Sequence, residues 1–412
     1  MNAMTNETKL SNLAKVTVEV GINLQPYQTL FINASIEALG FVRKISELAY
    51  RKGAGNVHVE WSDQELSKQR LTYASEEMLA SYPNWSKGRA ESFVEENAAF
   101  LNIQSTDPDA FKDIDPKRVA IQNKAAALAL RKVSTARQSG KVKFCVVCIP
   151  NEAWAKKVYP HLNPKDAVEQ LWEAVFQMTR VDTLEPVKEW DKHIAYLTSK
   201  VDELNEKRYR QLYFVAPGTD LTIDLPDDHL WVGGGTKTHD GVFFTPNLPT
   251  EEVFTAPLKT GVNGTVTSTK PLIYSGTVIE NIQLTFKDGK IVSVNASKGL
   301  DTLKELIKTD EGARYLGEVA LVPQDSPIAI RETIFYHTLF DENASCHLAI
   351  GAAYPLCVQD GNKMTGEQLG ESGLNTSITH VDFMIGSNEM NIDGIQADGH
   401  REPLFRNGCW VK

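Results

Sequence analysis

Residues 29–34, Thr29-Leu30-Phe31-Ile32-Asn33-Ala34, form a short apolar run, and behind it Ile36, Leu39, Val42, Ile45 and Ala49 recur every three or four positions. The run reads as a buried strand. The recurrence reads as one face of a helix, because helical side chains realign every 3.6 residues. The same alternation continues along the chain. Apolar runs at 57–61, 98–104 and 142–150 read as further strands, and helical patterns fall at 76–81, 115–139, 164–180 and 187–206. Strands alternating with helices imply crossover connections and a parallel sheet covered on its faces. Residues 1–208 are therefore expected to form an α/β domain, a parallel-type sheet with flanking helices.

The character of the chain changes near 205–215. Short strand-like runs follow at 211–215, 220–225, 265–274, 277–286 and 291–296, with one helical pattern at 299–309. The last two runs are joined by Lys287-Asp288-Gly289-Lys290, and Asp-Gly between such runs is a hairpin signal. Residues 209–412 thus read as a strand-rich α+β domain.

Composition narrows the function. The 412 residues include 43 Lys and Arg against 53 Asp and Glu, a net charge of −10. That balance argues against a nucleic-acid partner, which needs a basic surface. No apolar run approaches the roughly 18 residues of a membrane span. The polar start shows no secretory pattern, and five scattered cysteines read as reduced thiols, so a cytoplasmic protein is expected. Met1-Asn2-Ala3-Met4 reads equally as a native start or as an expression scar ahead of a native Met4. Cys145 and Cys148 lie three apart in a strand-like run, on opposite faces, and are expected to pack in the core. The stretch Trp231-Val232-Gly233-Gly234-Gly235-Thr236-Lys237-Thr238 is not a phosphate loop, since Thr236 and Trp231 stand where that loop requires glycine.

The chemistry lies in the second half. In Thr379-His380-Val381-Asp382-Phe383 a strand sets His380 and Asp382 on one face. They are either half of a metal site or an exposed polar face with a His–Asp hydrogen bond. Glu318 is the single carboxylate in the apolar run 315–322. It is either paired or metal-bound, or an edge residue turned to water. Glu251 and Glu252 adjoin, so in an extended chain one is a candidate ligand and the other is solvated. Residues 340–351 place Asp341, Glu342 and Asn343 ahead of His347. Glu342 and His347 are five apart and converge only if a turn precedes a short helix, with Asn343 as its N-cap and Gly351 as its stop. Glu252, Glu318, Glu342, His347, His380 and Asp382 together are hard oxygen donors and imidazoles with no cysteine among them. Such a set suits zinc, cobalt or manganese, and three or more carboxylates favour two ions over one structural zinc.

Four strings carry a more specific signal: NLPTEEVFTAP (247–257), GEVALV (317–322), TLFDENASCHLAIG (338–351) and THVDFMIG (379–386). In this order and spacing the chain resembles the metallo-aminopeptidase family of aminopeptidases T, S and II over essentially its whole length. The resemblance implies two divalent ions per subunit (zinc, cobalt, manganese or magnesium), held in the C-terminal domain by the six residues above. Tyr354 falls on the family's active-site tyrosine, and Glu318 is expected to act in catalysis as well as ligation. The implied activity is removal of N-terminal amino acids from peptides with a free N-terminus. One ion would take the α-amine, and a water between the ions would attack. Either Glu318 or Asp382 would bridge, and Glu251 is a candidate general base. The family also implies a homodimer, with the motif-poor first half walling the site. The ligand chemistry taken alone would equally suit a non-catalytic metal- or peptide-binding protein, or a two-metal phosphoesterase.

Overall fold

The computed structural model describes residues 4–411; Met1, Asn2, Ala3 and Lys412, and with them the question of the native start, lie outside the described residues. The chain forms two compact units. The first takes residues up to 110, 129–196 and 234–250; the second takes 111–128, 197–233 and 251 onward. The chain thus passes between the units more than once, where the sequence pattern suggests a single boundary. One reason is the short strand Asn247–Leu248, which pairs with Phe144–Cys148 and so completes the first unit's sheet from far along the chain.

That sheet has five strands in the order Asn247–Leu248, Phe144–Cys148, Ala99–Gln104, Thr29–Ser35, Asn56–Ser62. Every pairing in it is parallel, as the strand–helix alternation requires. The helix Leu39–Arg51 buries Phe41, Val42, Ile45 and Ala49. Ile36 and Leu39, read as part of the same stripe, are exposed: Ile36 lies in a separate 3-10 turn over residues 36–38, and Leu39 is the first residue of the helix. The long pattern at 115–139 is two helices, Pro116–Ala129 and Arg131–Gln138, broken where the chain leaves the second unit. Cys145 and Cys148 are buried on their strand, and all five cysteines are free thiols.

The second unit holds two main antiparallel sheets and a two-stranded hairpin of Leu272–Tyr274 with Thr277–Ile279. The larger has eight strands, in the order Lys290–Asn295, Gln283–Lys287, Val262–Thr267, Thr219–Asp224, Gln211–Ala216, Asn391–Ile395, Arg401–Arg406, Cys409–Trp410. Two of the expected long strands are each divided. The run 265–274 breaks ahead of Pro271, which has no N–H for a ladder, and 277–286 breaks at Asn281, whose φ is 52°. Leu212, Phe214, Val262 and Leu284 from this sheet share one core with Leu303 and Leu306 of the helix Leu300–Ile307. Among the described residues no helix is long and apolar enough to cross a membrane.

The expected hairpin forms. Asp288 and Gly289 take φ of 50° and 79°, the left-handed pair that matches the twist of the strands Gln283–Lys287 and Lys290–Asn295. A β-carbon on Gly289 would lie 1.7 Å from the Lys259 carbonyl oxygen. Gly289→Ala is therefore expected to cost at least about 2 kcal/mol, through the clash and the left-handed backbone. The measurement is a urea titration followed by tryptophan fluorescence; an unchanged midpoint would contradict the close approach.

Candidate metal centre

The site is built on the smaller sheet, whose strands run His380–Met384, His347–Gly351, Leu316–Leu321, Val253–Thr255, Val232–Gly233. Across it Glu318 stands opposite Ala349, which stands opposite Asp382; His347 is opposite Ala320, and His380 is opposite Gly351. Directly opposed residues share a face. Glu318, His347, His380 and Asp382 therefore project from one face, with small Ala320, Ala349 and Gly351 between them leaving room. The other face, Val319, Leu321, Leu348, Ile350, Val381 and Phe383, is buried in the core. Glu318 lies on the middle strand, all six residues of which are buried, so the reading of it as an edge residue turned to water does not hold. A bulge brings Glu318 into this register, and the bulge sits at Gly317, where a β-carbon would come within 2.2 Å of the Ala352 carbonyl oxygen.

Two local expectations are corrected. The short helix is Thr338–Glu342; Asn343 closes its C-terminus rather than capping an N-terminus, and His347 opens a strand instead of sitting on a helix. His347–Gly351 is wholly buried, and a short apolar run of that kind has no period to separate strand from helix. Glu251 is buried, not solvated, and its backbone N–H donates to Asn343 Oδ1 at 2.7 Å. Asp341 holds the approach to the helix, accepting from the backbone N–H groups of Phe335 (2.9 Å) and His337 (3.1 Å).

The side chains gather into two groups, each with one ligand atom per residue and all such atoms within 4.8 Å of one another. The first is Glu252, Glu318 and His347; the second is Glu318, His380 and Asp382. His347 Nε2 lies 2.9 Å from Glu252 Oε2 and 3.5 Å from Glu318 Oε1. His380 Nε2 lies 3.4 Å from Glu318 Oε2 and 3.5 Å from Asp382 Oδ1. Glu342 and Tyr354 belong to neither group. The Tyr354 ring packs 4.8 Å from the His380 ring, and the buried Glu342 carboxylate lies within electrostatic reach of Asp382, Glu252 and Glu318.

The electrostatics call for a cation. Each imidazole has its Nδ1 against carbonyl oxygens: His347 against Glu342 O and Ser345 O, both at 3.0 Å, and His380 against Ala352 O at 2.7 Å. Carbonyls only accept, so Nδ1 carries the proton and Nε2 presents a lone pair to the carboxylates. Acceptors then face acceptors, which only a further proton or a cation relieves. Burial, with repulsion from Asp382 and Glu252, pushes the Glu342 carboxyl well above its usual range, and burial likewise raises Glu252. Burial opposes the charge on His347, yet its bonds to Glu252 and Glu318 lift its proton affinity well above normal. The Asp382 Oδ1 atom is buried without a hydrogen-bond partner. An orphaned carboxylate oxygen beside oriented imidazole nitrogens fits a divalent ion of the zinc, cobalt or manganese type.

The sequence model of the thermophilic metalloprotease (M29) family matches residues 6–410, both groups included. The chain belongs to that family. Among its relatives, aminopeptidase 2 of Geobacillus stearothermophilus is 49% identical and aminopeptidase AmpS of Bacillus subtilis 51% identical, each over 98% of both chains. The solved structure of wild-type AmpT from Thermus thermophilus superposes with a TM-score of 0.90 at 43% identity, covering 99% of this chain and 100% of that one. As a metalloprotease family member the chain is expected to hold divalent metal. The carbonyls that orient the two histidines carry no side-chain signature, and sequence reading had no means of finding them.

In the metal-free chain the raised Glu342 carboxyl favours the fold while protonated, and that contribution is lost as pH rises from the usual carboxylate range through its elevated pKa. Glu342→Gln removes the loss. With chelator present the variant should gain stability over the parent between pH 5 and pH 8, by about 1.4 kcal/mol for each tenfold rise in that carboxyl's proton affinity. Urea midpoints at the two pH values check this; a difference that does not change with pH would count against it.

Proposed function

We propose that the chain is a two-metal aminopeptidase. The observation that carries this reading is Glu318, one carboxylate with an oxygen 3.5 Å from His347 and the other 3.4 Å from His380. Because it belongs to both groups, Glu318 rather than Asp382, which belongs to one, would be shared between the two ions. Glu252 and His347 would complete one site, His380 and Asp382 the other, and Glu342 would join from the adjoining helix end. Divalent ions held there would polarise the scissile carbonyl and lower the pKa of a water. The residues themselves do the rest. Burial pushes the Tyr354 hydroxyl above the ordinary phenol range, so it stays protonated and can donate to the oxyanion of the tetrahedral adduct. The apolar face of the sheet fixes the strand positions of these groups from behind.

Removal of metal by chelator should abolish release of the amino acid from an aminoacyl chromogenic substrate, and zinc, cobalt or manganese should restore it. Full activity of a metal-free sample would refute the proposal. Glu318→Ala and His380→Ala should each lower kcat/KM by more than about 100-fold, since loss of a direct ligand exceeds the usual effect of a supporting residue.

An exopeptidase must also keep folded proteins and chain interiors from the metals. Homodimerisation, with the first unit as the barrier, would meet that need, and five free thiols suit a reducing cytoplasm. Sedimentation at micromolar concentration should give twice the chain mass, and N-acetylated peptides should resist cleavage. Cutting of an acetylated peptide at an internal bond would exclude the exopeptidase assignment.

A further inference from the structure

Asn343 is completely buried, and every polar atom of its side chain has a partner. Its Nδ2 donates to the Leu339 carbonyl at 2.8 Å, one of the acceptors left open at the end of the helix Thr338–Glu342. That bond fixes the rotamer. With the amide so held, Oδ1 accepts the backbone N–H of Glu251 at 2.7 Å, and Nδ2 also lies 3.4 Å from Glu342 Oε1. The Glu251 N–H lies one residue ahead of Glu252, so one side chain ties the backbone leading to Glu252 to the carboxylate of Glu342. These two residues come from segments 90 positions apart, and the sheet ladder does not pair them with each other. Glu252 itself stands immediately before the strand Val253–Thr255.

We infer that Asn343 is a positioning residue of the metal centre. It sets Glu252 and Glu342 relative to each other, and thereby the ion site that Glu252 and His347 would form. The inference rests on the metal reading above. Asn343 touches neither ion nor substrate; it acts through the two glutamates. Two variants separate its bonds. Asn343→Ala removes all of them. Asn343→Asp is nearly the same size and keeps an acceptor for the Glu251 N–H, but it has no donor for the Leu339 carbonyl or for Glu342 and places a like charge beside the latter.

The test is cobalt binding to the full chain, by competition with a chromogenic chelator and by the visible absorption of the bound ion, with thermal unfolding of the metal-free chains as the control for folding. Asn343→Ala should weaken cobalt binding 10- to 100-fold and alter the absorption of one of the two ions. Asn343→Asp should do the same for the ion nearer Glu342, with a lowered thermal midpoint because a buried carboxylate then faces the Leu339 carbonyl, and if the alanine variant does not fold it carries the test at a temperature below its own midpoint. Peptide turnover should fall in kcat with little change in KM, since substrate contacts remain. Cobalt affinity and absorption within threefold of the parent in both variants would overturn the inference. A parent chain that itself retains no cobalt would overturn the metal reading and this inference together, whereas a parent that binds alongside equally binding variants overturns the inference alone.

Discussion

Two imidazole lone pairs and a group of carboxylates are held face to face on one side of a sheet whose other side is the core. Buried acceptors opposed to acceptors are costly, by several kcal/mol for each unpaired charge. Removing water from Glu252, Glu318 and His347 makes that cost larger, and it also makes the group strongly selective for a compact cation. Most of what distinguishes the second unit locally serves to maintain this arrangement. Ala320, Ala349 and Gly351 keep the face clear, the bulge at Gly317 sets the phase of Glu318, and main-chain carbonyls turn each histidine so that Nε2 points inward.

The apolar face offsets that cost. Val319, Leu321, Leu348, Ile350 and Phe383 are fully buried, each contributing about 1.5–3 kcal/mol relative to exposure. Exposed ion pairs such as Arg51 with Glu47 or Lys188 with Glu185 are screened by solvent and add little. The rigidity of the metal-facing side chains therefore derives from packing behind them rather than from charge pairing around them. A strand suits this purpose better than a helix here, because its period of two separates the charged face from the apolar one residue by residue.

The parallel sheet of the first unit contrasts with this. Its inner strands carry buried apolar residues on both faces, and among the described residues it offers no comparable gathering of titratable groups. A fold of that class hosts many functions, so its architecture alone says little about its role. The proposal that it restricts access rests on what an exopeptidase requires and not on chemistry within that sheet.

Much of this was legible in the residues themselves. Alternating apolar runs and helical stripes pointed to the parallel sheet, Asp288-Gly289 marked a hairpin, and His380 with Asp382 shared a strand face because side-chain alternation is a local property. Glu318 stood out as a lone carboxylate in an apolar run, but only its place on the middle strand decided that it is buried. The five buried residues from His347 to Gly351 have no period of their own, so their sequence suits a helix as well as a strand; pairing with strands on both sides makes them a strand. Asn343 looked like an N-cap, and its actual partners, Leu339, Glu342 and the Glu251 peptide, meet only when distant segments come together. The donor set was thus written in the chain, since residue type and strand alternation are local. Which donors converge, and which atoms orient them, was decided by strand order and register, because those depend on hydrogen bonds and packing between segments that no single stretch of sequence contains.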